Sequence, residues 1–440
     1  MSHSPGPSTS QRILMLGFGT TGRAVCEFTA RHALWACVSE QGRLSEGQQS
    51  WLRENDIPFE QAEHTTRFLQ EADVVVLSPG IPLELPVLEE ARRRDIPVLS
   101  EIDFALSMLG SSSVVAVTGT NGKSSTVEVI GEILQSLGRR AWVAGNIGIP
   151  LISTVEEILE SDTLVLEISS YQLEQSRDFR PHIGVLLNLS PDHIHRHGDM
   201  RSYANAKGKL FANQKPADVA ILPSTLASQF EHGNGRRVFY DECFEHLPTS
   251  MDKLLPHERS NLRAALAACA ALLPEFDVSK VPMDAVREVF RLPHRMETIG
   301  AVSGVRVIND SKSTNAGSAI AALRAINSPV VLLLGGRHKG AGYESLVDEI
   351  TASDIRGVIL FGEAADTLRH VFEQHPRVEL VPFSVRTIRE AVARGISLAQ
   401  PGDVLLLSPA CSSFDAFADY GERGEVFAHL IRSQPGFESV

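Results

Sequence analysis

Residues 114–126, VVAVTGTNGKSST, restrict the possible folds of this chain more than any other stretch. The β-branched run Val114–Val117 ends in a turn with glycines at 119 and 122. From Ser124 the apolar residues Val127, Ile130 and Leu134 recur at helical spacing. The predicted unit is a strand, a tight loop and a helix. Gly119 and Gly122 let backbone N–H groups come close to an anion, and the helix turns its positive end to the same point. Lys123 has the reach for terminal phosphates, and the Ser124 hydroxyl suits Mg²⁺. The pattern G-x-x-x-x-G-K-[ST] is met except at its first position, where Val117 stands for Gly. The stretch reads as a phosphate cradle; the use made of the phosphate has to come from elsewhere.

The alternation of strand and helix continues on both sides, in three blocks. The first, residues 1–100, carries strands RILMLG, LWACVS and DVVVLS (73–78) and a helix at Pro86–Arg94. The second, 101–293, adds TLVLEIS (163–169), IGVLLNLS (183–190), DVAILP (218–223) and an Ala/Leu-rich helix over 261–273. The third, 294–440, holds VRVIND (305–310), PVVLLLGG (329–336), GVILFG (357–362) and DVLLLSPA (403–410). Strands alternating with helices predict an α/β fold with parallel sheets, and 440 residues are enough for two or three domains.

Hydrophobic residues make up 43% of the chain and charged residues 22%, the balance of an ordinary globular protein. A net charge of −13 argues against a general nucleic-acid or anionic-membrane binder. It leaves room for an anionic small molecule, because local Lys and Arg can dominate one cleft. No apolar run approaches the roughly 18–20 residues that span a bilayer. The opening MSHSPGPSTSQ lacks an apolar core and reads as a disordered tail over residues 1–11. Five scattered cysteines form no CxxC pair, so a reducing cytoplasm is the expected compartment.

Polar residues at strand ends carry the chemistry. GFGTTG (17–22) follows the first strand and fits G-x-G-x-x-G, either as a dinucleotide site with Glu40 as the acidic partner or as a structural turn. A second loop, Ser78-Pro79-Gly80, ends DVVVLS, and together the two loops suggest an anionic ligand. Glu167 closes an otherwise apolar strand, where a carboxylate must be paired, protonated or metal-bound. Mg²⁺ ligation near Ser124 is the preferred reading, with Ser169, Ser170 and Gln172 adding polar groups at the same edge.

In NLSPDHIHRHG (188–198), three histidines at i, i+2 and i+4 do not make the converging pattern of a zinc site. His193 reads as help to a hard cation or phosphate, and His195 and His197 as solvated. Lys207, on an amphipathic helix, reads from the residues alone as a surface side chain. In the third block Arg295, Lys312, Lys339 and Arg423 stand near strand–loop junctions. Each singly is compatible with surface decoration; clustered, they suggest a second anion-binding surface, with Asp310 orienting a ribose or water.

The order GFGTTG, SPG, TGTNGKSS, GNIG, LEISSYQLE, NLSPDHIHRHG, YANAK, LPHRME, NDSKSTN, GGRHK and SPACSSFD resembles the Mur ligase family over about 12–432. The resemblance implies Rossmann-like N- and C-terminal domains flanking a central ATPase domain. It implies a cytoplasmic, monomeric enzyme with no nucleic-acid or membrane partner. Its substrates would be ATP, UDP-N-acetylmuramoyl-L-alanine and D-glutamate, and its cofactors two Mg²⁺ and CO₂ held as a lysine carbamate.

By the same resemblance, Gly119, Thr120, Asn121, Gly122, Lys123, Ser124, Ser125, Asn261, Arg295, Asp310 and Lys312 would engage ATP. Gly19, Thr20, Thr21, Ser78, Pro79, Gly80, Asn146 and His193 would hold the UDP-sugar substrate, and Thr314, Lys339, Ser413 and Tyr420 the D-glutamate. Ser124, Glu167, His193 and a carbamylated Lys207 would form the metal site, and Lys123, Glu167, His193 and Lys207 the catalytic set.

Some positions depart from the family pattern. Ala264 replaces the second Asn of H-N-x-x-N, Ser125 a usual Thr, Arg291 a frequent Gly, and Tyr420 a common Phe. SPACSSFD occupies the loop where diamino-acid-adding relatives carry a DNPR-type motif, which favours D-glutamate. The alternatives are a ligase for another amino acid (including a folylpolyglutamate synthase-like enzyme), a nucleotide-binding protein without turnover, and a dehydrogenase suggested by GFGTTG alone.

Overall fold

A computed structural model describes residues 11–439 apart from 111, 232, 245–246, 249–250, 252–253, 292, 341 and 376–379. The tail expected to be disordered lies outside the described residues except for Gln11. Each block of the sequence builds its own sheet.

The first sheet contains β1 (Ile13–Leu16), β2 (Ala36–Glu40), β3 (Phe59–Gln61), β4 (Val74–Leu77) and β5 (Val98–Ser100) in the order β3-β2-β1-β4-β5, all parallel. The second contains β6 (Ser113–Thr118), β7 (Ala141–Gly145), β8 (Thr163–Glu167), β9 (Ile183–Leu186), β10 (Val219–Leu222) and β11 (Arg236–Phe239). Its order is β11-β10-β9-β6-β8-β7, again parallel throughout.

The third sheet holds β12 (Glu297–Val302), β13 (Val305–Asn309), β14 (Val330–Gly335), β15 (Ile355–Phe361), β16 (Phe383–Ser384), β17 (Val404–Ala410) and β18 (Phe437–Ser439). They run β16-β15-β14-β17-β13-β12-β18, with β12 antiparallel to both its neighbours. The β12–β13 hairpin closes on Ser303 and Gly304, both at positive φ (51° and 80°), the geometry whose twist matches paired strands.

The strands lack polar alternation because helices cover both faces of such a sheet. Along β14, Val330, Leu332 and Leu334 enter one apolar cluster and Val331 and Leu333 the opposite one. The chain divides into two compact units. One runs up to Asn188 and adds Ala204–Thr249 and Ser260–Met283, so it carries the first two sheets. The other comprises Leu189–Tyr203, Ser250–Arg259 and Asp284–Val440 and carries the third. No helix among the described residues is long and apolar enough to cross a membrane.

Parallel sheets offer their ligand sites at the carboxyl ends of strands where the order reverses. Here those ends release residues 17–22 and 78–81, then 119–122, 168–169 and 187–188, and in the third sheet 310–315, 336–340 and 411–414.

Candidate active site

β6 passes into the helix Lys123–Ser136 through four residues. Gly122 sits at φ +88°, and a Cβ there would stand 2.4 Å from Asn261 Oδ1, so the turn admits only glycine. Asn261, 4% exposed on the helix Pro256–Leu272, therefore lies directly against the loop. Lys123 folds back and donates to the carbonyls of Gly119 (3.0 Å) and Thr120 (2.9 Å).

Asn188, two residues beyond β9, splints the same loop. Its carbonyl accepts from the Thr120 N–H (3.1 Å), its Oδ1 accepts from the Asn121 N–H (2.9 Å), and its Nδ2 donates to the Asn121 carbonyl (3.0 Å). The amides of Thr120 and Asn121 are thus engaged within the protein. The first-turn amides at 123–125 are the donors that a helix N-terminus leaves without an intrahelical acceptor.

Glu167 lies in register with Val117 of β6 and Gly145 of β7 and is buried. Its Oε1 accepts from Asn146 Nδ2 at 3.0 Å; Oε2 is buried with no hydrogen-bond partner among the described residues. A carboxylate oxygen left so is costly unless something positive meets it. Hard oxygen donors, the Glu167 carboxylate and the Ser124 hydroxyl, match the preference of Mg²⁺.

Lys207 corrects the sequence reading of a solvated side chain: it is 1% exposed, and its Nζ donates to Gly119 O (2.8 Å) and Thr118 Oγ1 (3.3 Å). Lys207 shares the buried face of the helix Met200–Ala212 with Tyr203, Leu210 and Phe211, at i−4, i+3 and i+4.

The two loops of the first sheet meet through Gly17. A Cβ there would come within 2.9 Å of the Ser78 side chain, whose hydroxyl donates to Gly17 O at 3.2 Å. Gly22 packs its helix against the strand, for a Cβ would stand 2.1 Å from Gly17 O. Gly19 caps the helix Thr20–Arg31, which brings Thr20 and Thr21 to its first turn. Glu40 accepts from the Phe18 N–H at 2.7 Å and so shapes this loop.

In the second unit, His193 adopts a left-handed backbone (φ 55°) before the short helix Ile194–His197. Asp192, 4% exposed, organises its surroundings. It accepts from the His193 N–H (2.9 Å) and from Asn315 Nδ2 (3.2 Å), and it lies 3.5 Å from Lys339 Nζ. Lys339 also donates to Thr314 Oγ1 at 3.4 Å.

The remaining histidines diverge. His195 Nδ1 donates to Lys339 O at 2.6 Å, whereas His197 is buried with its ring 5.3 Å from that of Tyr203, contrary to the solvated position expected. Among the described residues no three His, Cys, Asp or Glu side chains gather as a metal-holding group.

Arg295 sits between two non-glycine residues at positive φ, His294 (61°) and Met296 (44°), a conformation kept only where surrounding contacts enforce it. Asp310 supplies one: its carboxylate accepts from the Met296 N–H (3.2 Å) and from Ser408 Oγ (2.9 Å), and burial pushes its carboxyl up to about 7. The Lys312 ammonium lies 5.3 Å from the Tyr420 ring centre. Ser413 is buried, its carbonyl capping the Ala416 and Phe417 amides, while Tyr420 is part-exposed at the start of the helix Tyr420–Arg432.

Arg423 is not a site cation. It is fully buried, which lowers its guanidinium to about 10, and it donates to Ser311 Oγ and O, Cys411 O and Gly335 O. It therefore braces the loops after β13, β14 and β17.

The structure brings Lys123, Glu167, Asn146, Lys207 and Asn261 to the end of the second sheet, and Thr314 and Lys339 together at the third; His193 belongs to the second unit. Sequence reading missed Asn188, Asp192 as an organiser, and Asn315. The available signal was a polar residue at the first turn past an apolar strand.

Comparison with known proteins matches residues 11–100 to the model of a Mur ligase MurD-like N-terminal domain, 117–239 to a Mur ligase middle domain and 294–411 to a Mur ligase glutamate ligase domain. UDP-N-acetylmuramoylalanine--D-glutamate ligase from Pelotomaculum thermopropionicum is 34% identical, covering 97% of this chain and 98% of its own. The protein of the same name from Desulfotalea psychrophila is 35% identical, covering 95% of each. The crystal structure of MurF ligase from Thermotoga maritima in complex with ADP has the same fold, with a TM-score of 0.55 at 15% identity over 96% of this chain and 97% of that one.

Proposed function

The chain belongs to the Mur ligase family, and from that premise we propose that it joins D-glutamate to UDP-N-acetylmuramoyl-L-alanine with ATP as the activating reagent. The observation that carries the reading is the group at the end of β6: Lys123 and Lys207 hold one phosphate loop, and the neighbouring strand aims an unpartnered Glu167 oxygen from a buried position. Such a site serves anions that must be neutralised and kept dry.

In this reading the central block (101–293) holds ATP, the first (1–100) holds the UDP portion through Thr20, Thr21 and the 78–80 loop, and the third (294–440) holds D-glutamate through Thr314, Lys339, Ser413 and Tyr420. The helix amides at 123–125 and the Lys123 ammonium bind the phosphates. Arg295 and Lys312 contribute further positive charge to ATP, and Asn261 supports the cradle. Glu167 and Ser124 would hold Mg²⁺, which when bound neutralises charge on the phosphates.

Lys207 would carry CO₂ as a carbamate. The ammonium would give up two protons as the C–N bond to CO₂ forms, the remaining N–H would still serve Gly119 O, and the new carboxylate would supply negative charge for Mg²⁺. The substrate carboxylate attacks the γ-phosphorus; an O–P bond forms and the bond to ADP breaks. The amine of D-glutamate attacks the acyl carbon, loses a proton, and phosphate leaves with the C–O electrons. Protein groups position and stabilise charge rather than forming covalent bonds.

The substrates and the reduced cysteines agree with a cytoplasmic enzyme of peptidoglycan precursor synthesis. Phosphate release should require ATP, UDP-N-acetylmuramoyl-L-alanine and D-glutamate together. Equal turnover with L-glutamate would refute the D-specific assignment.

A further inference from the structure

We infer that Gln175 is a positioning residue that holds the Ser78–Ile81 loop in its substrate-binding shape through one buried amide. The inference rests on the reading that this loop contacts the UDP portion of the substrate.

Gln175 ends the short helix Ser170–Gln175, eight positions beyond Glu167 on the same chain segment, and is 6% exposed. Its Nε2 donates to three carbonyls of the loop: Ser78 O at 3.1 Å, Pro79 O at 3.2 Å and Ile81 O at 3.2 Å. Its Oε1 is buried without a hydrogen-bond partner among the described residues. Three facing acceptors can be met only by the NH₂ end, so the amide has one possible orientation and leaves its oxygen unpartnered. A glutamine kept in that position at such a penalty points to a demand from the loop.

The loop depends on it for a stereochemical reason. Ser78 and Ile81 precede Pro79 and Pro82, so two of the three carbonyls belong to peptides with no N–H. The loop closes on its own Ile81 N–H to Ser78 O bond at 3.1 Å, and Gln175 adds a donor for Pro79 O and Ile81 O as well. The third acceptor belongs to the Pro79–Gly80 peptide. In a trans peptide the C=O and N–H point in opposite directions, so drawing Pro79 O toward Gln175 turns the Gly80 N–H away from it. The effect passes on through Ser78, whose side chain touches Gly17 of the other UDP-type loop. A single side chain attached to the segment after Glu167 thus pins the Ser78–Ile81 loop, which Ser78 joins to Gly17.

Two variants test this. Gln175→Met keeps length and apolar bulk but cannot donate. Gln175→Glu keeps shape and, when ionised, sets a carboxylate against three carbonyls. With Gln175→Met, amide hydrogen exchange over 78–83 should quicken in the ligand-free protein, and the Kd for UDP should rise about tenfold, the scale of a lost neutral hydrogen-bonding group. The KM for ATP and the kcat at saturating substrates should stay within about twofold. Gln175→Glu should bind UDP more weakly than Gln175→Met at pH 8 and regain affinity as the pH falls and its carboxyl becomes a donor.

Unchanged loop exchange in both variants would overturn the tether. A parallel rise in the KM for ATP would overturn a role confined to the UDP loop. Absence of UDP binding by the wild-type protein would instead overturn the underlying substrate reading, and with it the functional half of the inference.

Discussion

Substituting Gly122→Ala challenges the cradle at its tightest point. At φ +88° an alanine costs about 1–2 kcal/mol of backbone strain. Its Cβ would also stand 2.4, 2.7 and 2.9 Å from Oδ1, Nδ2 and Cγ of Asn261, so that buried amide must leave its rotamer, at about 0.5–1.5 kcal/mol more. The sum, about 1.5–3.5 kcal/mol, should weaken ATP binding by roughly 10- to 300-fold if the loop yields rather than the sheet.

The clash can be separated from the strain with Asn261→Ala. In the double variant the steric part disappears, so the two changes should couple favourably by about 1 kcal/mol. ATP titration calorimetry and urea unfolding of the four proteins give the cycle. Additivity within about 0.4 kcal/mol would refute the steric argument, because it would mean that the Asn261 amide does not meet the new methyl group.

Lys207→Met should reduce phosphate release by at least about a hundredfold and lower the unfolding free energy by about 1–3 kcal/mol, since Gly119 O and Thr118 Oγ1 lose a buried donor. Unchanged turnover would remove Lys207 from the mechanism, and short carboxylic acids should partly restore a Lys207→Ala variant. Asp310 has a folded-state carboxyl raised to about 7, so its contribution is fully present below about 4 and is lost as pH rises toward 7. Asp310→Asn keeps an acceptor for the Met296 N–H and gains a donor for Ser408, so over pH 4–7 its stability should fall less than the wild type's, by on the order of 4 kcal/mol; parallel urea curves would contradict this. Arg423→Met should destabilise the protein by about 3 kcal/mol or more by leaving buried carbonyls at 311, 335 and 411 without their donor, and circular dichroism melts would show it.

The architecture was legible because apolar runs such as Val330–Gly335 and Val74–Leu77 bear their signal locally: a strand buried on both faces must be continuously hydrophobic. The phosphate loop was legible for a similar reason, since its glycines and Lys123 act through adjacent backbone. Lys207 and His197 were not. Lys207 stands at i+4 from Tyr203 and at i−3 and i−4 from Leu210 and Phe211, on a buried helix face that its charge masks, and His197 lies in a four-residue helix too short to set a period. Arg423 misled in the same way, because a cation near strand ends reads alike whether it meets a ligand or three carbonyls.

Order along the chain was therefore enough to establish three α/β blocks, a glycine-turned strand–loop–helix at 113–136 and the family to which the motifs belong, because each rests on residues close in sequence. Partnership was decided by the fold. Asn188 grips a loop 67 positions earlier, Gln175 one nearly a hundred positions earlier, and Asp192 reaches Asn315 across 123. Hydrogen bonds act over about 3 Å of space, and no pattern of neighbouring residues records which distant atoms a closed chain will bring within that range.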